Sequence, residues 1–212
     1  MKNLFIVTHT QSKHHVRNEV GGWHDTELSG KGWEDALRVA ARLKTMIHHR
    51  DVEIFTSDLM RAVETAAPIA GAFDQHEVEM EALREISYGI AQGKAQAWLD
   101  SRIIPAPDEN RMDHICIEGA ETRRQFATRL FGALEDIIAR PCETQIIVTH
   151  GFAVTFLVAA WIKMPLDAVG FMDLQVKPGS ITHLQEDPFW KSRTVLGLGD
   201  TAHFKSRWQA KP

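Results

Sequence analysis

Two histidines each follow a short apolar run that is typical of a buried strand. The sequence reads Phe-Ile-Val-Thr-His at residues 5–9 and Ile-Ile-Val-Thr-His at residues 146–150. Ligands of open parallel sheets bind beyond the carboxyl ends of the strands, so neighbouring strands would turn His9 and His150 into one pocket. Gly151 and a helix follow the second histidine, and the amides at a helix N-terminus favour an anion.

A third strand end adds charged side chains to the same edge. Arg61 lies in the first turn of a helix that follows residues 55–58, and a guanidinium there can bind a phosphate through two charge-assisted hydrogen bonds. Glu85, after an ambiguous strand, would supply a carboxylate near the pocket. Two simpler interpretations stay open: Arg61 in a surface ion pair with Glu64 or Glu85, and Glu85 paired with Arg84 on a solvated face.

The elements that would position these residues alternate between strands and helices. Apolar runs predict strands at 4–7, 52–56, 145–149, 174–177, 180–184 and 194–198, with 78–83 ambiguous. Helical spacing predicts helices at 33–47 (with Trp33, Ala36, Leu37, Ala40, Leu43 and Ile47 on its apolar side), from Ser57 or Asp58 to Phe73, at 120–140 and after Gly151. This alternation indicates an α/β protein with a mostly parallel sheet. Residues 91–117 predict a small irregular insertion, a lid, within a single domain of residues 1–212.

Composition and charge limit the classes of partner. Of the 212 residues, 44% are hydrophobic and 25% are charged, and the formal net charge of −4 leaves no basic excess for a nucleic acid. The longest apolar stretch, 152–162, is too short to span a bilayer, and the first residues are too weakly apolar for a signal peptide. Two cysteines, Cys116 and Cys142, indicate no disulfide framework. We therefore expect a cytoplasmic protein that binds neither nucleic acid nor membranes.

Six motifs resemble those of the histidine phosphatase, or phosphoglycerate mutase-like, superfamily and occur in the family's order. They lie at 8–12 (Thr-His-Thr-Gln-Ser against the family's Arg-His-Gly-Glu-Thr), 22–32, 57–66, 83–89, 119–122 and 150–151, with a family-like tail at 199–204. No single motif is specific to the family, but together the motifs span almost the whole chain. The resemblance implies a three-layer α/β/α fold around a mostly parallel sheet.

The resemblance also implies a role for each candidate catalytic residue. His9 would attack phosphorus and become phosphohistidine, which splits the transfer into two easier steps. His150 and Arg61 would stabilise the transferring phosphoryl group. Glu85 would protonate the leaving oxygen and then activate water. The implied activity is hydrolysis of a small phosphorylated metabolite without a metal or organic cofactor, and a homodimer, common in the family, stays open.

Several positions depart from the family's pattern. Thr8 replaces the first arginine, Thr10 a glycine, His15 an asparagine and Glu19 a later arginine. Losing one transition-state donor lowers a rate by roughly 100- to 1000-fold. A protonated His15 would restore some of the lost charge. Other cations that could supply it are Lys13, Arg17 and Arg124. We expect the phosphate to lie against Thr8, Thr10, His15 and Gly151.

Three alternatives to a hydrolase that acts through phosphohistidine remain at this stage. A mutase would return the phosphoryl group to its substrate, although the modest insertion favours hydrolysis. A catalytically weak or inactive member would only bind a phosphorylated ligand or a protein. Metal-dependent hydrolysis through the histidines is a third, but His14-His15 and His48-His49 are adjacent pairs whose side chains are expected to point in different directions. No His-Glu-x-x-His or Cys-x-x-Cys spacing occurs, so no metal site is expected.

Overall fold

One six-stranded sheet organises the chain. In the computed structural model, which describes residues 1–204, the strands are β1 (Lys2–Thr8), β2 (Glu53–Thr56), β3 (Glu77–Glu79), β4 (Thr144–Thr149), β5 (Ile181–Glu186) and β6 (Arg193–Asp200). Their order is β3-β2-β4-β1-β5-β6. The first four are parallel, and β5 and β6 are antiparallel to their neighbours. The mostly parallel α/β sheet that the sequence predicts is therefore confirmed.

Helices cover both faces of this sheet. They are α1 (Lys13–Arg17), α2 (Gly30–Met46), α3 (Met60–Phe73), α4 (Gln96–Asp100), α5 (Arg123–Ala139) and α6 (Gly151–Trp161). Because side chains alternate along a strand, Phe5 and Val7 pack with α2 and α3, whereas Leu4 and Ile6 pack with α5 and α6. A strand covered on both faces must be apolar throughout, which explains the short runs in the sequence.

The apolar side of α2 differs from the predicted one. Trp33 and Leu37 are exposed, whereas Ala36, Ala40 and Leu43 are buried as expected. The helix lies directly against the segment that follows β1, and a Cβ on Gly32 would lie only 2.0 Å from the carbonyl oxygen of Gln11. This close approach turns the small residues inward and the two large apolar side chains outward.

Two other sequence predictions need correction. Residues 174–177 form no strand, because this stretch runs beside α6, where the Leu174 amide donates to the Thr155 hydroxyl (2.9 Å). The insertion at 91–117 is not wholly irregular, since it contains α4 and single turns of 3₁₀ helix. It shares a small apolar cluster with Val20 and Ala120, so it packs onto the rest of the chain. Within residues 1–204, no helix has both the length and the apolar character to cross a bilayer.

Candidate active site

The register of β1 and β4 brings the two histidines together. The strands pair in parallel with Thr8 opposite Thr149, so His9 and His150 leave the same edge at the same level. The His9 amide donates to the Thr149 carbonyl at 2.7 Å. The two ring centroids are 5.1 Å apart, with the ring planes inclined by 65°.

His9 is buried and held in one orientation. Its Nδ1 lies 2.8 Å from the Thr10 carbonyl, which can only accept, so Nδ1 carries the proton and Nε2 presents its lone pair. Nε2 accepts a hydrogen bond from Nε of Arg61 at 3.3 Å. Burial, and then the Arg61 charge, hold the pKa of His9 well below its usual value of 6.5. The imidazole is therefore neutral near pH 7, the form in which Nε2 can act as a nucleophile.

Arg61 is fixed by backbone carbonyls. Its Nη2 donates to Gly22 (2.7 Å) and its Nη1 donates to His24 (2.9 Å). It is 1% exposed and forms no ion pair among residues 1–204, so the surface ion pair considered from the sequence is excluded. Glu64 instead accepts from the Leu28 amide. Burial lowers the pKa of Arg61 to about 10, which leaves the guanidinium charged at neutral pH.

His150 has one ring nitrogen without a partner. The Ser57 hydroxyl accepts from the Leu59 amide (3.3 Å) and lies 2.9 Å from Nε2 of His150, and a hydroxyl can both donate and accept. Nδ1 of His150 is buried and has no hydrogen-bond partner among the described residues, and it carries the proton in the tautomer in which Ser57 donates to Nε2. An unpaired buried donor costs free energy, and an anionic oxygen would satisfy it. Burial and the Arg61 charge keep the pKa of His150 well below 6.5.

Glu85 is partly exposed and lies close enough to Arg61 for their charges to interact. Its two carboxylate oxygens accept from the amides of Ile86 (2.8 Å) and Phe152 (3.0 Å). Burial raises its pKa above the usual 4.5, although these two amides partly offset the effect. Arg84 pairs with Asp58, so the proposed pairing of Glu85 with Arg84 on a solvated face is wrong.

Two further side chains fix the backbone of Glu85. Its carbonyl accepts from the Trp23 indole at 2.7 Å and from Arg129 at 2.7 Å. Arg129 also binds Glu121 through two hydrogen bonds. The carboxylate that the sequence placed near the pocket is thus held rigidly, by residues that the sequence analysis did not single out.

Of the expected phosphate-binding residues, two lie next to the histidine rings and two have hydroxyl groups that contact other protein groups. Gly151 begins α6 beside His150, and His15 stacks on His9 with centroids 5.3 Å apart. Thr8 is buried, with its hydroxyl 3.4 Å from that of Ser180. Thr10 has both donors engaged: its amide donates to the Thr65 hydroxyl and its own hydroxyl to the Gly32 carbonyl. Thr10 therefore supports the loop, and its donors are not free for a phosphate.

The lost arginine at position 8 is not replaced in this structure by the cations named from the sequence. Lys13 pairs with Glu27, Arg17 is exposed, and Arg124 is tied to Asp113 and Asp167. Burial, and then the Arg61 charge, lower the pKa of His15. A protonated His15 is thus disfavoured near neutral pH.

His14 and His15 do not point apart as adjacent residues in a regular element would. Their ring centroids are 4.2 Å apart, and the Ser12 hydroxyl contacts Nδ1 of both rings. One ring nitrogen from each of His9, His14 and His15 lies within 4.8 Å of the others, so these three side chains could hold a metal ion. The expectation about their directions is wrong because both lie in the five-residue helix α1, where the hydroxyl of the N-cap Ser12 draws the two rings together.

Sequence reasoning missed several residues that shape this site. Ser57 lies inside a quoted motif, but its contact with His150 depends on the pairing of β2 with β4. Thr65 binds both Thr10 and the Arg61 carbonyl, one turn away on α3. The only sequence signal for Thr65 was its position, one helical turn after the candidate Arg61.

Comparison with known proteins agrees with this arrangement. The fold is the three-layer α/β fold of phosphoglycerate mutase-like proteins. The family model of the histidine phosphatase superfamily (branch 1) matches residues 4–194, and the chain belongs to this superfamily.

Relatives and solved structures span nearly the whole chain. A probable phosphoglycerate mutase GpmB of Yersinia enterocolitica is 29% identical over 216 aligned positions, covering 96% of this chain and 95% of the relative. The structure of YhfR from Bacillus stearothermophilus is 27% identical with a TM-score of 0.78, and covers 97% of this chain and 100% of its own. A mycobacterial glucosyl-3-phosphoglycerate phosphatase, solved with inorganic phosphate, shares the fold at 24% identity and a TM-score of 0.77, covering 97% and 100%. Relatives are thus named as mutases or as phosphatases.

Proposed function

We propose that the chain is a phosphomonoester hydrolase that acts on a small phosphorylated metabolite through a phosphohistidine on His9. The observation that supports it most directly is the neutral His9 Nε2, which contacts the Arg61 guanidinium and lies beside a His150 ring whose buried Nδ1 has no hydrogen-bond partner among the described residues. In the tautomer with Nδ1 protonated, Arg61 and His150 both present N–H donors. A phosphoryl group in front of Nε2 would accept from both donors. Its negative charge would then be compensated where it develops in the transition state.

The two steps of the reaction use Glu85 in opposite protonation states. In the first step Nε2 of His9 forms a bond to phosphorus, the bond from phosphorus to the ester oxygen breaks, and protonated Glu85 gives that oxygen its proton. In the second step the Glu85 carboxylate takes a proton from water, whose oxygen displaces Nε2 and releases inorganic phosphate. The raised pKa of Glu85 favours the acid form that the first step needs.

A second candidate is a protein that binds a phosphorylated ligand without turning it over. Thr8 favours it, because no second guanidinium contacts His9 among residues 1–204. A mutase remains the other candidate from the same family. It differs from the hydrolase only in the acceptor of the second step, a substrate hydroxyl in place of water.

The test measures phosphate release from a panel of phosphomonoesters at mildly acidic and neutral pH. We expect release by the native protein, loss in His9→Ala, and retention in His48→Ala, which removes an exposed histidine. Mass spectrometry after rapid quenching in alkali should find a phosphorylated peptide that contains residue 9. No release above the His9→Ala background, with phosphate still raising the melting temperature, would favour the binding protein. Transfer to an added alcohol in preference to water would favour the mutase.

A further inference from the structure

A cavity of about 210 Å³ is lined by Ile86, the residue after Glu85, and by Phe152. Phe152 joins the two features, because its amide binds the Glu85 carboxylate and its ring forms part of the cavity wall. Ile103, Ile104 and Pro105 of the insertion and Tyr88 supply most of the remaining apolar lining. An alcohol whose oxygen is protonated by Glu85 would therefore extend into an apolar space.

Two arginines in the wall of this cavity form no ion pair with any acidic residue among residues 1–204. Arg111 donates to the Ala106 carbonyl (3.1 Å), and its Nε is buried without a hydrogen-bond partner among the described residues. Arg123 donates to the Gly170 carbonyl and lies over the Phe152 ring, 5.6 Å from its centroid. A guanidinium has five N–H donors, so each side chain keeps several for another acceptor.

The acidic residues nearby do not neutralise these two charges. Glu121 lines the same cavity, but both of its carboxylate oxygens are bound by Arg129. Asp173 is exposed and forms no ion pair with Arg123 among residues 1–204. Burial and the neighbouring Arg111 charge hold the pKa of Arg123 below its usual range, which an anion between them would relieve.

Arg123 also lines the space beside Gly151, at the start of α6. A second, more open cavity of about 560 Å³ shares Tyr88, Arg123 and Phe152 with the first and reaches Gly151, the neighbour of His150. A molecule with its phosphate at His150 could thus contact Arg123 with its other end.

We propose that this cavity binds the alcohol part of the phosphomonoester, an apolar body that ends in an anionic group, with Arg111 and Arg123 as the anion-binding residues. The role in substrate choice rests on the hydrolase activity proposed above, whereas the binding of an apolar anion does not. A carboxylate and a second phosphate share the required chemistry, because both accept paired hydrogen bonds from guanidinium groups.

The first test compares three aryl phosphates that differ only in the para substituent: 4-ethylphenyl, 4-(carboxymethyl)phenyl and 4-(phosphonomethyl)phenyl phosphate. We expect kcat/KM to be about 10- to 100-fold higher for at least one of the anionic esters, mainly through KM. Arg123→Gln and Arg111→Gln should remove this preference. Arg124→Gln, one position along and tied to Asp113 and Asp167, should keep it. The ester with the higher kcat/KM, the carboxylate or the phosphonate, identifies the anion that the site binds.

The second test does not require turnover. Calorimetric titration with 4-ethylbenzoate and with 4-ethylphenylphosphonate should show binding to the native protein and to His9→Ala, and at least tenfold weaker binding to Arg123→Gln. Binding without any phosphate release would support the anion site and contradict the proposed hydrolase activity. Equal kcat/KM for the three esters, or an anion preference that survives in both Arg111→Gln and Arg123→Gln, would overturn the anion site and leave the hydrolase standing.

Discussion

Two side chains at the site have their pKa values moved toward each other by the same cause. Burial disfavours the charged form of each group, so it lowers the pKa of His9 below 6.5 and raises that of Glu85 above 4.5. A neutral nucleophile and a protonated acid are therefore favoured together at mildly acidic pH. The first chemical step needs this combination of protonation states.

The pH dependence of phosphate release follows from these directions. The rate should fall as pH rises through the raised pKa of Glu85, and fall again as pH drops through the lowered pKa of His9. Glu85→Gln should remove the alkaline limb of kcat/KM, which reports the first step alone, and lower kcat/KM by about 10²- to 10⁴-fold for alkyl esters. The loss should be much smaller for 4-nitrophenyl phosphate, whose leaving group needs no proton. Exposed Glu118→Gln is the control, and an equal loss for both kinds of ester would contradict the acid role.

Thr8→Arg tests the departure from the family's first motif. If the pocket otherwise follows the family, a second guanidinium should tighten inhibition by inorganic phosphate by about tenfold, the value of one charge-assisted contact. Thr8→Val, of similar size, controls for the loss of the contact between the Thr8 and Ser180 hydroxyls. Loss of phosphate binding in Thr8→Arg would instead indicate a pocket rebuilt around Thr10 and His15.

For the strands and helices, the sequence predicted the features that depend on neighbouring residues and did not predict those that depend on residues far apart in the chain. The apolar runs before His9 and His150 are local, so the strands and their histidine ends were predictable from the sequence. That β1 and β4 are neighbours is a non-local fact, and the shared pocket was conditional on it. The predicted directions of His14 and His15 were wrong, because both lie in the short helix α1 and the side chain of its N-cap residue, Ser12, contacts both rings.

The contact between α2 and the loop after β1 gives a prediction at this scale. Gly30 and Gly32 both lie in the first turn of α2, but a Cβ on Gly30 meets nothing within 4 Å, whereas one on Gly32 would overlap the Gln11 carbonyl. Gly32→Ala should displace the loop that orients His9 and lower phosphate release at least tenfold. Gly30→Ala should keep activity and raise the free energy of unfolding, by about 0.5 to 1 kcal/mol. Equal activity of the two variants in phosphate release assays would contradict this.

For the whole molecule, the site is a cluster of neutral buried imidazoles, and this links stability to pH. The pKa values of His9 and His150 are far below 6.5, and that of His14 is about 3. The unfolded chain therefore binds more protons than the folded one below pH 6.5. Stability contributed by these groups is present above that pH and is lost as pH falls.

Urea unfolding at pH 7.5 and pH 5.5 measures this linkage. The free energy of unfolding should decrease by up to about 1.4 kcal/mol per buried histidine per pH unit below 6.5. His14→Gln should reduce the slope, whereas His76→Gln, an exposed position, should not. A stability that does not change over this range would contradict the burial of neutral histidines.

The histidine group also allows a direct test of metal dependence. Arg61 contacts Nε2 of His9, and a guanidinium beside a ligand nitrogen opposes a second cation. Phosphate release should therefore be unchanged after dialysis against a chelator and after addition of Zn²⁺ at stoichiometric concentration. Loss on chelation with recovery on adding Zn²⁺ would instead support hydrolysis through His9, His14 and His15.

The position of β1 between β4 and β5 has a consequence for biosynthesis. His9 follows the first strand, yet this strand is hydrogen-bonded on one side to β4 and on the other to Ile181–Glu186. A ribosome must therefore release nearly the entire polypeptide before His9 can be held opposite His150. A nascent or prematurely terminated chain would carry His9 without its pocket, so the phosphoryl transfer proposed above would require β4 and β5 to be in place.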